Sequence, residues 1–189
     1  MKNSLIVLIV GVLLFFNITN SSAFNFETKK LKLIKEKNLI IASEGKAYLP
    51  DSDLEIKADE FEYKKDLGIL KSNGNGLATI KTKNIKINFD KSIYNQKNST
   101  LVAEGNIKIN EFNKKIYIET QKIFYDKKKN FINSTTKTLL KDNLQNSYSV
   151  TSFNFDIEKS ILKLNDLEFI DKEQNILKTE IAFMNTKSG

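Results

Sequence analysis

The chain has 189 residues and a formal charge of +7, carried by 30 lysines with no arginine, and it contains neither histidine nor cysteine. Those absences exclude imidazole and thiolate metal sites, a disulfide framework and Ser–His or Cys–His nucleophile pairs. Arginine is the usual bidentate clamp for phosphate and guanine, and the lysines are scattered, so the basic balance does not point to nucleic acid.

The N-terminus reads as a secretory signal. Lys2 supplies the positive start, residues 5–16 form an apolar run, and Ser21, Ser22 and Ala23 offer small residues for cleavage. The run is short for a bilayer span, which needs about 20 residues. Cleavage after Ala23 leaves 24–189 as one domain; the alternative is an uncleaved anchor helix.

From residue 24 onward the pattern is that of strands. Four segments superimpose, beginning at Ile56, Ile87, Ile118 and Tyr148 and ending on the aromatics Tyr63, Tyr94, Tyr125 and Phe155, which are 31, 31 and 30 residues apart. A period of this length marks units that bury an apolar face only by stacking on their neighbours. Within each unit apolar and polar residues alternate, as in Ile85, Ile87 and Phe89 against Lys86 and Asn88. After Ala58, Phe89, Thr120 and Val150 the alternation slips by one, and the apolar set resumes at Phe61, Ser92, Ile123 and Phe153. A slip at the same place in each copy predicts a β-bulge, which suits the recurrence of Asp59 and Asp90 there better than a catalytic role does.

Polar turns at 64–66, 95–98 and 126–130 lead into returning strands that carry Gly45, Gly74 and Gly105, where a bend or a close backbone approach is expected. The single proline, Pro50, falls in a loop over 48–53. The prediction is an all-β chain of antiparallel hairpin repeats, stacked into two facing sheets as a β-jellyroll or elongated sandwich. Strand parity turns one set of side chains inward: Ile56, Ala58, Phe61, Tyr63, Leu70, Ile87, Phe89, Tyr94, Leu101, Ala103, Ile107, Ile116, Ile118, Ile123, Tyr125, Ile132, Val150, Phe153, Phe155 and Leu162. These columns either close into a core or line a groove, and periodicity leaves both readings open. No catalytic constellation, cofactor motif or GxxxxGK[ST] loop is present, so an enzyme is not expected.

The strings at 56–63 and 101–107, and the full unit 87–107, resemble the OstA-like repeat, and the resemblance extends over about residues 26–185. That repeat is shared by the lipopolysaccharide-transport proteins LptA and LptC and by the N-terminal domain of LptD, the organic solvent tolerance protein. The resemblance implies a twisted-taco β-jellyroll in the periplasm, associated with the outer membrane, with the inward columns lining a groove for the acyl chains of lipopolysaccharide. It implies other jellyroll proteins, LptA and LptC, as partners through edge-strand addition near 31–41 and 177–183, and the LptD barrel with LptE as further neighbours. The opening over 24–28 and the ending over 181–189 look most like an LptD N-terminal domain truncated before its barrel; a stand-alone LptA-like carrier is the alternative. Two other classes stay open, a structural β-repeat at the cell surface without cargo and a module for phospholipid.

Overall fold

In the computed structural model, residues 23–110 and 116–186 are described. The expected signal segment up to residue 22 and the ending at 187–189 lie outside them. No helix among the described residues is long and apolar enough to cross a membrane. The fold is all-β. Its strands are β1 (Asn25–Ile34), β2 (Leu39–Tyr48), β3 (Leu54–Lys64), β4 (Ile69–Ile80), β5 (Ile85–Asn95), β6 (Thr100–Asn110), β7 (Ile116–Asp126), β8 (Phe131–Ser134), β9 (Thr138–Asp142), β10 (Ser147–Val150), β11 (Ser152–Asp156), β12 (Ile161–Ile170) and β13 (Ile176–Asn185).

All thirteen belong to one antiparallel sheet rather than to two separate ones. Strands β1 to β7 pair in chain order. Strand β7 then pairs β8 with one half and β9 with the other, and β12 likewise pairs both β11 and β10. The pairs β8/β9 and β10/β11 are therefore single long strands interrupted in the middle, and the topology is an up-and-down meander. One sheet takes the place of two because the ladders from β3 to β7 change register near their centres, and the apolar face of the meander folds onto itself there.

Ring contacts demonstrate the folding. Phe26 pairs with Ala47, which pairs with Ile56. In a flat sheet Phe26 would lie about 16 Å along and 10 Å across from Phe61. The two ring centroids are instead 5.9 Å apart, and Phe24 meets Tyr63 and Tyr94 at 5.2 and 5.7 Å.

The bend is made at the predicted position, with one difference. The register shifts between Lys57 and Glu60, and between Asn88 and Lys91. The extra residue, however, sits on the returning strands β4 and β6. There Gly74 and Asn75 (φ +76° and +45°) and Gly105 and Asn106 (φ +79° and +46°) adopt left-handed backbone. Two consecutive left-handed residues absorb the extra length, so these strands keep their parity while β3 and β5 change theirs. Asn75 and Asn106 donate from Nδ2 to the facing Asp59 and Asp90 Oδ2 at 2.8 and 2.9 Å, which ties the two sides of each bulge together.

The turn row beyond Tyr63, Tyr94 and Tyr125 repeats just as strictly. The left-handed residues Asn38, Gly68, Ser99, Asn130 and Ser160 each offer a carbonyl to an amide of the next turn, at Lys65, Gln96, Lys127, Ile157 and Thr186. This ladder satisfies backbone groups that the strand ends would otherwise leave to solvent.

Candidate functional site: the inward face of the folded sheet

All twenty residues that parity turns inward are buried, each less than a tenth exposed. The registers arrange them in columns that run across the strands. In one half of the fold the column is Ile40, Tyr63, Leu70, Tyr94, Leu101, Tyr125, Ile132, Phe155 and Leu162. Aromatic and aliphatic residues alternate in it because outgoing strands end on the anchor aromatic and returning strands begin on an aliphatic. In the other half Ala47, Ile56, Ala78, Ile87, Ile109, Ile118 and Leu140 form the matching column. Small residues on β2 and β4 face isoleucines on β3 and β5, which lets the doubled sheet approach closely.

Several inward residues escaped the parity list. Ala47, Ala78 and Ile109 continue the second column, and their alternation in β2, β4 and β6 was the available signal. Phe24 precedes the first strand, where no alternation yet exists. Gly76 is a different case: its partner Phe89 lays its ring so close that a Cβ on Gly76 would sit 2.0 Å from the ring edge. A lone glycine in a strand is too general a signal to predict that contact.

The interior is occupied by the chain's own side chains. Buried polar groups within it are paired: Ser72 and Ser92 hydroxyls lie 2.6 Å apart, and Thr120, Ser134, Thr136 and Thr138 form a cluster with oxygen separations of 2.8–3.0 Å. Burial pushes the Tyr94 hydroxyl pKa up, against a hydrogen bond with Ser99 and with the Asp53 charge adding to the rise. Burial likewise raises Tyr125, with Asp53, Tyr94 and Asp126 contributing in the same sense. No group of acidic residues that could hold a metal ion occurs among the described residues.

The seam where the two turn rows meet is lined partly by polar groups. A cavity of about 610 Å³ lies there between Leu49, Asp51 and Ser52 on one side and Lys65, Tyr94, Lys97 and Lys127 on the other. Both ends of the meander are open. Among the described residues β1 pairs only with β2, and β13 only with β12. The free edges carry exposed apolar side chains, Leu31 and Leu33 on β1 and Ile176, Leu177, Ile181 and Phe183 on β13. Ile41, within the first expected edge segment, belongs to the covered strand β2, so that edge is β1 alone.

No protein-family model matches the chain, and no curated protein matches it in sequence. Among solved structures it is similar to the crystal structure of LptH from Pseudomonas aeruginosa, described as the LptA-homologous periplasmic component of the conserved lipopolysaccharide transport device. The two are 8% identical, over 86% of this chain and 94% of that one, with a TM-score of 0.30.

Proposed function

We propose that this chain is a periplasmic carrier in lipopolysaccharide transport that shields acyl chains against the inward face of its folded sheet. The observation that carries the reading is the unbroken pair of apolar columns enclosed by one sheet with two open edges. Apolar contact of this kind is worth about 0.8 kcal/mol per buried methylene and needs no detailed shape recognition. The OstA-like character of the repeat gives the cargo its identity, and the twenty inward residues are its contact surface. An acyl chain enters as the two halves of the sheet separate, exchanging protein–protein contacts for protein–lipid contacts of similar area.

The unpaired β1 and β13 suit edge-to-edge addition of neighbouring jellyrolls of the LptA and LptC kind, because a free strand edge offers a row of unused amides and carbonyls. An LptD-type role would add a barrel and LptE as neighbours; an LptA-type role would not. The packed interior favours a second reading, a structural β-repeat that holds no cargo.

The test is mass spectrometry of the lipid extracted from protein purified without detergent from a lipopolysaccharide-producing cell. Lipopolysaccharide at a stoichiometric level is expected. Lipid-free protein would favour the structural reading, and phospholipid alone would replace the cargo. For the edges, Phe183→Pro should abolish co-purification with an LptA-type partner; unchanged co-purification would rule out joining through β13.

A further inference from the structure

We infer that residues 49–53 form a lid over a portal on the seam, and that Lys127 clasps it shut. This rests on the lipid-carrier reading and names the place where a single acyl chain passes into the interior. The loop leaves β2, crosses the seam and returns to β3. On its own side it is anchored by the Asp53 carbonyl, which accepts from the Lys81 amide at 2.9 Å, and by the Asp53 carboxylate, which accepts from the Thr82 hydroxyl. Across the seam a side chain of the opposite turn row reaches it. Lys127 Nζ donates to Ser52 Oγ at 2.9 Å and lies 3.5 Å from Asp53 Oδ1.

That carboxylate oxygen is buried and makes no hydrogen bond of its own, so the nearby Lys127 charge helps to offset its loss of water. An ion pair with one oxygen left in that condition is closed but poorly saturated, which suits a contact that must open. Leu49 of the lid lines the cavity from one side and Tyr94 from the other, and Tyr94 continues into the aromatic column. Tyr94 shares the cavity lining with Leu49, Asp51 and Ser52, which sets the loop beside the aromatic column, and the Asp53 charge adds to the upward shift of the Tyr94 and Tyr125 hydroxyls. Lifting the loop opens this cavity toward Tyr94 and the aromatic column that continues from it.

The absence of cysteine makes a clean test possible. A Ser52→Cys, Lys127→Cys variant is followed by stopped-flow fluorescence with cis-parinaric acid, before and after linking with a reducible bis-maleimide, with thermal melting to establish folding. The unlinked variant and Lys127→Met should take up the probe about threefold faster than the parent, as expected for loss of one partly exposed ion pair. The linked form should be slowed by more than about tenfold, and reduction of the linker should restore the rate, as for a locked lid. Equal uptake by linked and unlinked protein overturns the portal while leaving the lipid-carrier reading intact. Absence of uptake by the unlinked variant and by Lys127→Met overturns both.

Discussion

The first two complete repeats and the third solve the same bending problem with different chemistry. In β3/β4 and β5/β6 an aspartate faces a left-handed glycine–asparagine pair, and both strands run through the bend unbroken. One period later the positions of Asp90, Gly105 and Asn106 are occupied by Gln121, Thr136 and Lys137. The returning strand stops at Ser134 and resumes at Thr138, and the gap is filled by the hydroxyls of Thr120, Ser134, Thr136 and Thr138. The fourth copy reverses the first arrangement, with Thr151 donating at 2.7 Å to Asp166, which now carries the positive φ. A continuous bend needs a residue that tolerates left-handed backbone; where none is available the chain breaks and side-chain hydroxyls take over the orphaned backbone groups.

Gly105→Val tests the continuous bend most severely. Its φ of +79° disfavours any side chain, and a Cβ would lie 2.4 Å from Asp90 Oδ2. A loss of about 3 kcal/mol is expected in urea unfolding, against about 1 kcal/mol for Thr136→Val at the equivalent position. Equal losses would mean that the two bends are not built differently. Next in size is Thr120→Val, which strips the central partner from the hydroxyl cluster and should cost about 2 kcal/mol through groups left buried and unsatisfied. A neutral outcome would show that the cluster does not hold the interrupted strand.

A smaller effect concerns acid. Burial works against the Asp142 carboxylate, but the Asn146 side chain, the Tyr148 hydroxyl and the amides of Asn146 and Leu144 outweigh it and hold its pKa below the usual value. A folded pKa below the unfolded one gives stability that is complete above about pH 4 and lost as pH falls through the folded value. Asp142→Asn should therefore flatten the acid limb of the stability profile in the interrupted half, and an unchanged limb would contradict the assignment. The smallest effect is the most informative about design. Gln121→Asp, Thr136→Gly and Lys137→Asn together transplant the aspartate–glycine–asparagine lock. Slower amide exchange at residues 135–137 and a gain of no more than about 1 kcal/mol are expected; unaltered exchange would show that the lock is not transferable.

Much of this was legible in the residues. The spacing of Tyr63, Tyr94, Tyr125 and Phe155 located the column that runs across the sheet, and the parity slip after Ala58 and Phe89 located the bend. What was not legible depends on partners distant in sequence. Strand alternation says which face is buried, not whether one sheet or two enclose it, so the doubling over of a single meander became visible only in the Phe24 and Phe26 ring contacts. The extra residue of each bulge lay on the glycine strand because backbone conformation, not hydropathy, decides where length is absorbed. The Lys127 contact joins loops 75 residues apart, and one lysine among the three consecutive ones of a polar turn carries no local mark of it.

The central claim is that the inward face is where lipid is held. It is tested most directly by photo-crosslinking in cells, with benzoylphenylalanine at Phe89 inside the fold and at Ile93 on its exposed face. Lipopolysaccharide adducts from position 89 and none from 93 are the predicted result. Adducts from 93 alone would put the lipid on the outer surface and contradict it.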